Sequence, residues 1–65
     1  MENFIVYGLG KSGISTIKSL AKNFKQHVII GTDDNLLSLK NSELLALKNQ
    51  FSNIDFLAPD EINFN

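Results

Sequence analysis

The chain has 65 residues, no cysteine, and six basic side chains against seven acidic ones, for a formal charge of −1. That length allows one small domain, which buries only about 60% of the surface its unfolded chain exposes. The composition excludes disulfides and a cysteine-based zinc site, and the near-zero charge gives no general attraction to nucleic acid or an anionic membrane. Glu2 stands where a signal peptide carries positive charge, and no apolar run approaches the ~20 residues of a membrane span. Repeats and low-complexity segments are absent from the sequence.

Phe4 to Tyr7 is an unbroken apolar run of β-formers, read here as a strand buried on both faces of a parallel sheet. It leads into Gly8-Leu9-Gly10-Lys11-Ser12-Gly13, where the glycines follow the spacing G-x-G-x-x-G. A strand, a tight turn and a helix start in that order make a phosphate site. The first helical N–H groups have no partner within the helix, and the dipole places partial positive charge there. Gly8 permits the turn, Gly10 lets backbone approach a pyrophosphate, and Gly13 lets the helix pack on the strand.

From Ser12 to Phe24, the residues Ile14, Ile17, Leu20, Ala21 and Phe24 recur at helical spacing, and Lys22 and Lys25 complement the helix end. Val28-Ile29-Ile30 reads as a second strand, followed by Gly31-Thr32-Asp33-Asp34-Asn35. Asp33 lies twenty residues beyond Gly13, where a nucleotide-binding βαβ unit places an acid to bond a ribose hydroxyl or a base. Leucines over 36 to 47 predict helix and core, with a break near Asn41 and Ser42 as N-cap of a second helix through Lys48. Ile54-Asp55-Phe56-Leu57 alternates as a third strand, Pro59-Asp60-Glu61 is a turn, and Ile62-Asn63-Phe64 is again apolar. The expected class is α/β: a Rossmann-like βαβα unit with a parallel sheet, forming part of a larger nucleotide-binding domain. As such a part, the chain is expected to be marginal alone, with Leu44, Leu47, Phe51 and Phe64 facing water or another chain.

Other chemistry is thin. Gly10-Lys11-Ser12 does not complete a Walker loop, because Ile5 stands where the first glycine belongs. Lys11 reads as a solvated lysine at a helix start, and Asp33 with Asp34 as a poor metal pair, since adjacent extended residues point apart. His27 is the single histidine and has no companion for catalysis or metal binding. No catalytic constellation is present.

The stretch Val6-Tyr7-Gly8-Leu9-Gly10-Lys11-Ser12-Gly13-Ile14-Ser15, with Gly31-Thr32-Asp33-Asp34-Asn35 and the tail Phe56-Leu57-Ala58-Pro59-Asp60-Glu61-Ile62, resembles the start of the bacterial Mur ligase family, nearest its D-glutamate-adding branch. The likeness runs through nearly all of the chain but only part of that family's first domain. It implies a cytoplasmic, monomeric enzyme of peptidoglycan synthesis whose N-terminal domain holds the UDP part of UDP-N-acetylmuramoyl-L-alanine. The pyrophosphate then faces Gly8, Gly10, Lys11, Ser12 and Gly13, and the uridine meets Asp33, with Asp34 beside it. An arginine two positions after that acid, found in some members, is Asn35 here. ATP and Mg²⁺ serve the full-length family enzyme in two later domains and are not expected to bind residues 1–65. Two alternatives stand beside this: an NAD-binding domain of an oxidoreductase, and a remnant without a ligand.

Overall fold

The computed structural model describes residues 3–62. Strand β1 (Asn3–Tyr7) enters the glycine turn, and helix α1 (Lys11–Asn23) returns to strand β2 (Val28–Thr32). A 3₁₀ turn (Leu36–Lys40) and helix α2 (Ser42–Gln50) lead to strand β3 (Ile54–Phe56), and a second 3₁₀ turn spans Pro59–Glu61. The strands lie in the order β1-β2-β3, all parallel, with Ile5 beside Ile30 and Ile30 beside Asp55. The result is a small α/β unit with a three-stranded parallel sheet and two helices. Asn63, Phe64 and Asn65, with the apolar run expected there, lie outside the described residues.

Both helices pack on one face of the sheet. Two crossovers of the same hand, stepping the same way across a sheet, require this. Ile17 and Ala21 of α1 and Leu44 and Leu47 of α2 close over Ile29 and Ile54, and Phe4, Val6, Ile14 and Phe56 pack against the same cluster. Leu44 and Leu47 are therefore core, and the expectation that they face water is wrong. Two helices suffice to cover one face of three short strands.

The opposite face is different. Ile5 and Tyr7 alternate with Phe4 and Val6 and are 42% and 60% exposed. The apolar run in β1 thus belongs to a strand covered on one face only, against the reading of burial on both. An unbroken run reports β-propensity as well as burial, and four residues do not separate the two. The leucines split in a similar way. Leu45 is 61% exposed, because α2 offers the sheet only a narrow stripe of positions at i and i+3, and Leu37, in the 3₁₀ turn before it, is 76% exposed.

Local chemistry explains the remaining element ends. Asn41, not Ser42, caps α2, its side-chain oxygen accepting from Glu43 N–H at 2.9 Å. Asn35 does the same for the first 3₁₀ turn, at 3.1 Å from Leu37 N. The strand β2 runs two residues past Ile30. Gly31 fits because a Cβ there would lie 2.8 Å from both Ile17 Cδ1 and Phe56 Cδ1, so the Phe56 ring occupies the space of the missing side chain.

At the other end of the sheet, Asn53 ties the unit together. Its amide nitrogen lies 3.3 Å from the Ala21 carbonyl, 3.1 Å from that of Phe24 and 3.1 Å from that of His27. From the segment just before β3 it thereby bonds the end of α1 and the loop that leads into β2. The rings of Phe4, Phe24 and His27 pack beside it, with centroids 5.0 to 5.8 Å apart. An amide nitrogen carries two hydrogens, so two full bonds are the maximum for three acceptors. Asn53→Ala should cost about 1–2 kcal/mol, measured as a lowered urea midpoint with unchanged slope.

Candidate functional site: the glycine turn and the ends of β1 and β2

All three parallel strands end at one edge, and the glycine turn is built there. Gly8 has φ +101°, a backbone conformation that side chains rarely allow, and its N–H donates to the Thr32 carbonyl at 2.8 Å. The chain turns sharply off β1 while remaining bonded to the end of β2. Leu9 then drops its side chain into the core, where it is buried. Gly10 is the N-cap of α1, extended at φ −76° and ψ −170°.

Gly13 seats the helix. A Cβ at this position would lie 1.8 Å from the Gly8 carbonyl oxygen, so only glycine allows the first turn of α1 to lie against the turn before it. Gly10 is the opposite case. Its backbone suits any residue, and a Cβ there would meet nothing within 4 Å. The fold demands glycine at 8 and 13 and leaves open space in front of 10.

The N-terminus of α1 carries no side-chain cap and no acid in its first turn. It carries Lys11, an exposed cation at the end of the helix where the dipole disfavours one. Ile14 N–H donates back to Gly10 at 3.0 Å, so the helix is properly formed from its start. The N–H groups of Lys11, Ser12 and Gly13 precede the first intrahelical bond.

Asp33 follows β2 and turns back towards the glycines. Its Oδ2 accepts from Leu9 N–H at 2.7 Å and its Oδ1 from Asn35 N–H at 2.9 Å. The bond from Leu9, and then that from Asn35, holds its carboxyl below the usual aspartate range. Asp34 accepts a hydrogen bond from the Tyr7 hydroxyl, and this bond, followed by loss of solvent and the charges of both aspartates, raises the tyrosine's pKa. Gly8, Gly10, Lys11, Ser12, Gly13, Asp33 and Asp34 therefore converge on one edge. The sequence reading had no signal for Tyr7, or for Leu9 N–H as the partner of Asp33.

The Thr32 hydroxyl, at the same edge, is fully buried and has no hydrogen-bond partner among the described residues. Two surface clefts lie elsewhere: one of about 280 Å³ beside Lys25 and Asn53, and one of about 340 Å³ along the exposed side of α1 from Ser15 to Asn23. At the glycine edge there is open space where side chains at Gly8 and Gly10 would begin. The described residues contain no group of three potential metal ligands, and no helix is long and apolar enough to cross a membrane.

Comparison with protein-family models, curated proteins and solved structures gives no match to this chain.

Two outcomes follow from this geometry. Gly13→Ala should lose about 3 kcal/mol of unfolding free energy, because backbone rather than a flexible side chain meets the new methyl. Gly10→Ala should leave the denaturation midpoint nearly unchanged. The Asp33 carboxyl has a lowered folded pKa, so its contribution is complete above the ordinary aspartate value and disappears as pH falls through the lowered one. Acid titration followed by amide NMR should show the Leu9 and Asn35 N–H signals moving together in that acid range, and Asp33→Asn should abolish the step.

Proposed function

We propose that this chain binds a nucleotide diphosphate at the glycine edge, in a Rossmann-like manner, as the UDP-holding part of a D-glutamate-adding Mur-type ligase. The observation that carries the phosphate reading is the start of α1: a well-formed helix with no cap, no acid and open space in front of Gly10. Helix α2 and the first 3₁₀ turn are by contrast capped by Asn41 and Asn35. An anion at α1 would accept from the early N–H groups and meet the positive end of the dipole. The sheet order is compatible with the Rossmann-like reading: three parallel strands joined by helices and stepping one way form one side of such a fold, with the glycine turn at their carboxyl ends, although the reversal of strand order that makes its ligand crevice does not occur among the described residues.

The uridine assignment rests on the resemblance of the glycine turn and the Asp33-Asp34-Asn35 strand end to that family. Asp33 spends one bond from each oxygen on backbone, and each oxygen keeps a lone pair for a ligand donor. Within that reading the protein is cytoplasmic, its ligand is UDP-N-acetylmuramoyl-L-alanine, and the acyl-phosphate chemistry with ATP and Mg²⁺ belongs to other domains.

Calorimetric titration of the 65-residue chain with UDP, NADH and inorganic pyrophosphate tests this. UDP should bind saturably and more tightly than NADH. Gly10→Val should weaken UDP at least tenfold with an unchanged circular dichroism spectrum, while Lys11→Ala should change affinity less than threefold, the phosphate being held by backbone. Tighter NADH binding would favour the oxidoreductase reading, and absence of binding by all three would leave the turn a purely structural device.

A further inference from the structure

We infer that the Tyr7 ring, braced by Asp34, is the platform on which the nucleobase stacks, which makes it a specificity-determining residue of the site. The inference rests on the nucleotide reading above and goes beyond it, since nothing in the glycine motif or the strand-end acid calls for an aromatic residue at position 7. A lone exposed tyrosine needs no explanation. Three observations set Tyr7 apart. It is the last residue of β1, immediately before Gly8, so its Cα lies within about 11 Å of chain from the N-cap of α1. That is the order of distance between the phosphate and the base of one nucleotide.

The residue is 60% exposed and stands on the face of the sheet that neither helix covers. Its hydroxyl is not left to solvent but donates to Asp34, twenty-seven residues away at the end of β2. A free surface tyrosine samples several rotamers. One tethered across two strand ends holds a ring face in one place, which reduces the ordering needed when a planar ligand arrives. Every base has a π-face, so such a platform serves uracil without needing a hydrogen-bond code, and Asp34 remains an acceptor for a base N–H at its rim. The aspartate is thus a positioning residue for the ring, and Asp33 a positioning residue for the turn.

The protein itself supplies the reporter. Tyr7 is the single tyrosine and there is no tryptophan, so intrinsic emission comes from the proposed platform alone. The experiment titrates the full chain, Tyr7→Leu, Tyr7→Phe and Asp34→Asn with UDP and with inorganic pyrophosphate, using tyrosine emission where the ring is present and calorimetry for all four. UDP should quench Tyr7, and pyrophosphate should not. Tyr7→Leu should weaken UDP roughly tenfold, the order expected for one base on one aromatic ring, and leave pyrophosphate within twofold. Tyr7→Phe keeps the ring and loses the tether, as Asp34→Asn weakens it, and each should cost less than about threefold. Pyrophosphate binding as tightly as UDP, or equal losses of both ligands in Tyr7→Leu, would overturn the platform while leaving the phosphate site intact. Failure of the wild-type chain to bind either ligand would remove the nucleotide reading and the platform with it.

Discussion

The close approach of Gly13 to the Gly8 carbonyl sets the geometry on which the rest of this small unit depends. With no Cβ between them, α1 starts directly against the turn that ends β1. That places Ile17 and Ala21, one and two turns further on, over Ile29, and the Gly8 N–H on the Thr32 carbonyl. The same contact fixes which way the early N–H groups of α1 point relative to the ends of the strands. A helix displaced by the width of a methyl group would lose packing against β2 and the alignment of the turn with Asp33 together. Core and candidate site are therefore one mechanical system in this chain, and a small protein has little core with which to compensate for an error there.

Much of this was legible in the sequence because it is local. The apolar spacing of Ile14, Ile17, Leu20 and Ala21 has one good solution, a helix packed on one side. Gly8 and Gly13 announce a turn and a close approach by their spacing to that helix. The three strands and the break at Asn41 were also readable. What was not readable depends on partners distant in sequence. Nothing near Asn53 says that it serves the end of α1, and Asn41 and Ser42 are both good caps, which only the backbone decides between. Ile5 and Tyr7 look like core because they are apolar; their exposure follows from both crossovers falling on the other face.

Asp33 shows the same limit at the site. Its distance from Gly13 was a sound reason to expect it just past β2, and the structure places it there, beside the glycine turn. Its first partners, however, are Leu9 N–H and Asn35 N–H rather than solvent. A carboxylate engaged in this way does structural work before any ligand arrives: it fixes the turn that presents the helix end. That dual position makes loss of Asp33 ambiguous in any binding assay, whereas Gly10 separates the roles, because the fold makes no demand on it.

The distribution of locally unfavourable features argues for a site more strongly than any single residue does. A positive φ at Gly8, an uncapped helix start with a lysine on it, a buried Thr32 hydroxyl without a described partner, and two adjacent acids occur within one edge of the sheet. Elsewhere the chain follows ordinary rules: Asn35 and Asn41 cap, Asn53 bonds backbone carbonyls, and Lys48 pairs with Asp55 at 3.1 Å in an exposed bridge worth under about 1 kcal/mol. The turn itself accounts for Gly8 and Asp33; the bare helix start with its lysine and the Thr32 hydroxyl without a described partner are what folding leaves unexplained. Sequences that are otherwise locally consistent break their rules where they bind or react. An anion at α1 would remove the largest of these exceptions at once, by accepting from the early N–H groups and balancing both the dipole and Lys11.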